Sequence, residues 1–246
     1  MKTPLLAAAF AVLAMPSWAL DLEKMSDEER ALFREEVRAY LLDNPEVIME
    51  AVAVLEERQA AGQARQDFDL VAINADDIFN DGYSYVGGNP DGDITLVEFV
   101  DYRCGFCRRA HPEVQELVAS DGNIRIITKE FPILGEASTQ SSRFAIAVKQ
   151  IAGDDAYEAA NDALIKMRAD ANPVTLKRLA KNLGLDSDAI IAHMGSNEVT
   201  EEIRKTRELA QRLQITGTPT FVLEDEMLRG YLPLNEMRRM VAAKRG

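Results

Sequence analysis

The feature that most constrains this chain is a strand that runs straight into a cysteine pair, followed by a helix and a second strand. Ile94 to Val100 (ITLVEFV) is an apolar run bounded by turn residues, as expected of a buried strand. Cys104 and Cys107 follow at once, and RRAHPEVQELVAS after them has helical periodicity, with Pro112 expected to kink it. Ile124 to Lys129 (IRIITK) reads as the next strand. Strand, helix and strand within about 36 residues form a βαβ unit, whose crossover length implies parallel pairing. The chain is therefore expected to be an α/β protein.

The rest of the sequence is arranged around that unit. Tyr83 to Val86 predicts a short strand, and GGNPDGD after it is a dense turn signal. From about 137 to 213 the pattern is helical, with breaks at Gly153-Asp154, Asn172-Pro173, Gly184 and Gly195-Ser196. Thr220 to Leu223 and Met227 to Arg229 predict two strands joined by a tight turn, and Leu234 to Lys244 a terminal helix. Upstream, Ser26 with Glu29 forms a capping box, and Asn44-Pro45 is expected to cap and start a second helix. Phe33, Val37, Tyr40 and Leu41, then Ile48, Ala51, Val52 and Leu55, lie on apolar helical stripes. Those residues are too few for a core of their own, so they must pack on the same chain or on further copies of it. The charged, Ala/Gln-rich stretch from Glu56 to Asp67 reads as a solvated helix or linker, which favours the second arrangement.

The first residues have the shape of a secretory signal peptide: Lys2, an uncharged stretch from Leu5 to Met15, and small residues at Ser17 and Ala19. Cleavage after Ala19 is expected, an uncleaved anchor being the alternative. With 41 acidic against 28 basic residues the net charge is −13, which argues against nucleic acid or an anionic membrane as partner. Export places the two cysteines in a compartment that permits disulfides. As a staple, a four-residue loop would constrain the unfolded chain by only about 2 kcal/mol, against about 4 for a fifty-residue loop. The pair is better read as chemical.

Cys104 at the start of a helix would meet unpaired backbone N–H groups and the positive end of the helix dipole, both of which favour a thiolate. A thiolate is the nucleophile of disulfide exchange, and Cys107, one turn on, can attack the mixed disulfide and release the product. Arg103, Arg108 and Arg109 either add positive charge there or solvate a loop and helix face. A second class of reading is metal binding, since Cys104, Cys107 and His111 form CxxCxxxH; yet no fourth ligand is visible, and His193 lies in the helical stretch. A third is a chaperone that holds unfolded chains without using the cysteines. No hydrolase, kinase or nucleotide-binding motif is present.

ITLVEFVDYRCGFC, then KEFPILG, then GTPTF resemble the DsbA-like branch of the thioredoxin superfamily, from about Tyr83 onward. The resemblance implies a thioredoxin fold with a helical domain inserted at about 137–213. It implies a cis bond at Thr218-Pro219, in a loop that offers backbone hydrogen bonds to a bound polypeptide. It also implies that Glu98 accepts or relays the proton of Cys107; a structural ion pair with Lys129 is the alternative. Gly105, Phe106 and Thr218 look closer to the periplasmic isomerases than to the dedicated oxidases. The segment EVRAYLLDNPEVIMEAVAVLEERQ resembles the N-terminal extension of the suppressor-of-copper-sensitivity C proteins, which in trimeric members assembles the protomers.

The expectation is thus an α/β thioredoxin fold with an inserted helical domain, preceded by an N-terminal helical oligomerisation segment. Residues 1–19 would be a signal peptide, 20–67 the oligomerisation segment and linker, and 68–246 the catalytic domain. Cys104, Cys107 and Glu98 would carry the chemistry, and Thr218, Pro219, Gly105 and Phe106 would meet the substrate. No cofactor or metal is expected. The partners would be unfolded or wrongly disulfide-bonded polypeptides in the periplasm, a membrane-bound thiol reductase and further copies of the chain. A dithiol oxidase and a copper(I)-binding protein are the alternatives.

Overall fold

The structure, a computed structural model, describes residues 24–246, so the leader reading lies outside the described residues. The chain divides into two units, one ending at Gln59 and the other running from Ala60 to Gly246.

In the first unit, helix α1 (Asp27–Asp43) opens on the capping box that the spacing predicts. The Ser26 hydroxyl accepts from the Glu29 N–H at 3.3 Å, and Glu29 Oε2 accepts from the Ser26 N–H at 2.8 Å. Asn44 does not act as the expected cap of the next helix. Its side-chain amide instead donates to the Tyr40 carbonyl at 2.9 Å and closes α1. Helix α2 (Glu46–Ile73) follows Pro45 and runs unbroken through the stretch 56–67. No residue of α1 is buried: Leu32, Phe33, Val37 and Tyr40 are all exposed, as are Ile48, Val52 and Leu55 on α2. The apolar stripe is real, and no core lies beneath it among the described residues.

The second unit begins within α2, where Asp67 is buried and pairs with Arg229 at 2.7 Å. After α3 (Ala75–Phe79) come β1 (Tyr85–Gly88), slightly later than the sequence places it, and β2 (Ile94–Val100). Helix α4 (Gly105–Asp121) continues through Pro112 and ends at Gly122, whose φ of +74° is the left-handed conformation glycine adopts without penalty. Then follow β3 (Ile124–Glu130), α5 (Glu136–Ala152), α6 (Asp154–Lys166), α7 (Pro173–Asn182), α8 (Ser187–His193) and α9 (Asn197–Arg212). Strands β4 (Thr220–Leu223) and β5 (Glu226–Arg229) and helix α10 (Leu234–Arg245) complete the chain. The helix breaks fall where the sequence places them. Asn172 caps α7 by accepting from the N–H groups of Val174 and Thr175, with Pro173 at the first helical position.

The five strands lie in the order β1-β3-β2-β4-β5, with β2 and β3 parallel and the other pairs antiparallel. Glu98 stands opposite Thr128 on β3 and Phe221 on β4. Alternation then puts Leu96, Glu98 and Val100 on one face and Val97 and Phe99 on the other. Both faces are covered, which is why β2 is buried along almost its whole length. Leu96 and Phe221 pack against Val114 and Leu117 of α4 and Val241 of α10. Val97, Phe99 and Val222 share a cluster with Val71 and Leu209. A third cluster joins the inserted helices, through Phe144, Tyr157 and Leu176, to Tyr102 and both cysteines. The helical insert and the two cysteine sulfurs thus share one core.

Candidate active site

Strand β2 ends at Val100, and the next four residues turn the chain into α4, placing Cys104 at its N-cap with extended backbone. Asp101 shapes that turn. Its buried carboxylate accepts from the Arg103 N–H (2.8 Å), from the N–H groups of Ile133 (2.8 Å) and Leu134 (3.0 Å), and from the Ser138 hydroxyl (2.8 Å). The cysteine loop is thereby tied to the loop after β3. Cys104 is largely buried and Cys107 wholly so, and both are free thiols.

The two sulfurs are strongly differentiated. The Cys104 thiol is brought down to about 5. The largest cause is a hydrogen bond from the Cys107 thiol; burial opposes it, while the Thr218 side chain and the backbone N–H groups of Cys107 and Phe106 add to it. In the thiol form Cys104 Sγ donates to the Thr218 carbonyl at 3.1 Å. Cys107 is pushed far above the ordinary thiol range by its bond to Cys104, by burial and by the charge of Glu98. One sulfur is ready to attack and the other holds its proton. The Thr218-Pro219 bond is cis. Phe106, between the cysteines, is 60% exposed, and a side chain at Gly105 would meet only open space.

Glu98 is 5% exposed, and its Oε1 is buried with no hydrogen-bond partner. Burial, then the charge of Glu130, raises its carboxyl to about 8. The ion pair with Lys129 that the sequence allows is not formed. Lys129 stands beside Phe99 in the register and so faces the opposite side of the sheet, where it pairs with Asp81 at 2.5 Å. A cavity of about 660 Å³ between α4, α6 and the sheet reaches Glu98 and is also lined by His111, Thr128, Glu158 and Asn161.

The arginines near the cysteines are structural ties. Arg103 bonds the Ala169 carbonyl and Asp170, and Arg108 bonds the carbonyls of Tyr102 and Met167. Arg109 stacks over the Tyr231 ring at 4.2 Å. His111 turns to Asp162 at 3.2 Å, and no group of three His, Cys, Asp or Glu side chains among the described residues is arranged to hold a metal ion. Sequence reasoning missed Asp101, Tyr102 and Glu130. The available signal was an acid and an aromatic three and two residues before Cys104, and an acid where β3 ends.

A DSBA-like thioredoxin domain model matches residues 95–242, and a model of the copper resistance protein ScsC N-terminal domain matches residues 29–61. A thioredoxin-like oxidoreductase from Silicibacter pomeroyi is 42% identical, covering 69% of this chain and 96% of its own, with a TM-score of 0.65. The thiol-disulfide exchange protein alpha-DsbA2 from Wolbachia pipientis is 25% identical, covering 74% and 97%, with a TM-score of 0.69. ScsC from Proteus mirabilis, in a transitional conformation, is 25% identical, covering 89% and 98%, with a TM-score of 0.66. The Na(+)/H(+) antiporter NhaA 3 from Salinispora tropica is 27% identical over 59% of this chain, but the chain spans only 22% of that protein's length. The family model covers more than half of the chain, including both cysteines, Glu98 and the cis-proline loop. The chain belongs to the DSBA-like thioredoxin domain family and has the fold of a thiol–disulfide oxidoreductase.

Proposed function

We propose that this protein is an exported disulfide isomerase or reductase that works through Cys104 and Cys107. The observation that carries the reading is the differentiated cysteine pair at the N-terminus of α4, one thiol brought down to about 5 and the other held protonated. The Cys104 thiolate attacks a substrate disulfide, forming a mixed disulfide and releasing one substrate thiolate. In isomerisation the released thiolate exchanges with another disulfide of the substrate, and the thiolate freed there attacks the substrate sulfur of the mixed disulfide, forming a new substrate disulfide with Cys104 leaving as the thiolate. In reduction Cys107 gives its proton to Glu98 and attacks Cys104 Sγ, closing the Cys104–Cys107 disulfide as the second substrate thiolate leaves. Thr218, beside Pro219, touches Cys104 and with Gly105 and Phe106 meets the substrate chain.

The isomerase side of the reading is supported by the Gly105-Phe106 and Thr218 combination and by the N-terminal unit. Apolar residues of α1 and α2 that no described residue of their own unit covers suit assembly with further copies, placing several active sites around one misfolded substrate. A shallow groove of about 340 Å³ in that unit is lined by Phe33, Val37, Leu41, Leu42 and Ile48 with Arg34 and Arg38. The periplasm is the proposed compartment, and a membrane-bound thiol reductase returns Cys104 and Cys107 to the dithiol. Residues 1–19, 20–67 and 68–246 are the proposed leader, assembly segment with linker, and catalytic domain.

The test is reactivation of scrambled, fully oxidised ribonuclease by the reduced protein. Recovery well above a glutathione-only control is expected. No recovery, with reduced ribonuclease still oxidised by the disulfide form, moves the protein to the oxidase side. Cys107→Ser should accumulate mixed disulfides on a non-reducing gel. Removing residues 20–59 should give a monomer by light scattering that keeps dithiol chemistry and loses isomerisation.

A further inference from the structure

Glu130, at the end of β3, is 3% exposed, and nothing in the steps above uses it. Its Oε1 accepts from two phenols, Tyr102 and Tyr157, each at 2.6 Å, and Asn161 donates to the Tyr102 hydroxyl at 3.0 Å. Tyr102 belongs to the turn that leads into Cys104, while Tyr157 and Asn161 come from α6 in the helical insert. One carboxylate therefore joins the sheet, the cysteine loop and the insert. Its second oxygen, Oε2, is buried without a hydrogen-bond partner, as is Oε1 of Glu98.

The two acids share a face of the sheet. Glu98 stands opposite Thr128 and Val100 opposite Glu130, so alternation turns both carboxyls to the same side of neighbouring parallel strands. The lysine between Thr128 and Glu130 points the other way, to Asp81. Around Glu98 the titratable groups are Cys107 and His111 from α4, Glu130 from β3 and Glu158 from α6. Around Glu130 they are Tyr102, Tyr157 and, from α9, Glu202, which is itself paired with Lys149 of α5 at 3.2 Å. Among the described residues no cation is bonded to either acid. Two buried carboxyls with like charge and no counter-ion resist ionising together.

Resting on the reading of Glu98 given above, we propose that Glu130 is a positioning residue for the proton step at Cys107. Its charge, fixed by two tyrosines, sets how readily Glu98 gives up a proton and so when Glu98 can accept the one on Cys107. Tyr102 and Tyr157 favour the ionised form of Glu130, against burial, which raises its carboxyl to about 7. With Glu130 charged, Glu98 holds its proton to higher pH. The resolving step then balances simply: the Cys107 proton passes to Glu98, the Cys104–Cys107 bond forms, and the bond from Cys104 to the substrate sulfur breaks with its electron pair leaving on the substrate.

The test is a carboxyl ¹³C titration of the reduced protein, with the pH profile of Cys107 attack on a preformed mixed disulfide. Glu130→Gln should lower the midpoint of Glu98 by about one pH unit and carry the acid limb of the profile with it, about tenfold in rate on that limb. An unchanged midpoint, or uniform slowing at every pH with a lowered Tm, overturns the proposal. Should Glu130→Gln not fold, Tyr157→Phe serves: losing one donor makes Glu130 harder to ionise, so Glu98 should move the same way by less. A rise instead overturns it. Failure of the underlying reading has its own signature. Glu98→Gln then leaves the pH dependence of Cys107 attack unaltered, and the role of Glu130 falls with it whatever the titration gives.

Discussion

The two faces of the central sheet treat buried charge in opposite ways. On one face Lys129, fully buried, meets Asp81 at 2.5 Å, the Asp77 carbonyl at 3.0 Å and the Ser84 hydroxyl at 3.3 Å. Asp81 accepts in turn from the N–H groups of Tyr83 and Ser84 and from the Ser84 hydroxyl. Each of these two charges has a partner, and Asp81 stays below the ordinary carboxyl range: burial works against this but Lys129 and the hydrogen bonds to Ser84 outweigh it. On the other face Glu98 and Glu130 have no cation, and both are raised. A paired charge holds the fold in one state. An unpaired one can take up or release a proton near neutral pH.

The harshest way to break the comparison is to strip the paired face. Lys129→Met leaves Asp81 as an uncompensated buried charge and should cost about 3–5 kcal/mol by urea unfolding, with Cys104 reactivity retained in whatever protein folds. The unpaired face should answer in the opposite sense. An acid whose folded value is raised contributes full stability below its unfolded value and loses it as pH rises through the folded one. Glu98 should therefore cost the protein on the order of a few kcal/mol between about pH 5 and 9. Glu98→Gln should flatten that slope, and the oxidised protein is the form to measure. In the reduced protein Cys104 works against the slope: its lowered value gives stability that is complete above the ordinary thiol value and lost as pH falls through about 5. The smallest expected effect sharpens the picture at the sulfur itself. Thr218→Val removes one of the hydrogen bonds to Cys104, so the thiolate absorbance midpoint should rise from about 5 by roughly one unit.

How far the sequence reveals this arrangement depends on the range of the interaction. The βαβ unit, the helix breaks and the capping box at Ser26 rest on local spacing, and all of them stand in the structure. The strand alternation of ITLVEFV is enough to single out Glu98 as a buried acid. Its neighbours are another matter. Lys129 was a candidate partner because strands β2 and β3 are adjacent, but register decides the face, and register is not written in either strand alone. Glu130 is not legible in the sequence because its donors lie at positions 102 and 157, brought together only by the fit of the insert on the core. Asn44 shows the same limit at short range, since one amide beside two helix ends can serve either.

The contact between Cys104 and Thr218 spans 114 positions along the chain. Strand β4, next to β2 in the sheet, is synthesised well after the cysteines, so a growing chain carries Cys104 and Cys107 long before the Thr218 loop that packs against them. Until residues 218–223 arrive, Cys104 lacks the Thr218 contributions to its thiolate. The order of synthesis thus brings Cys104 to its lowered thiol value only after β4 has joined the sheet. An unfinished molecule is thereby less apt to form disulfides with the other unfolded chains around it.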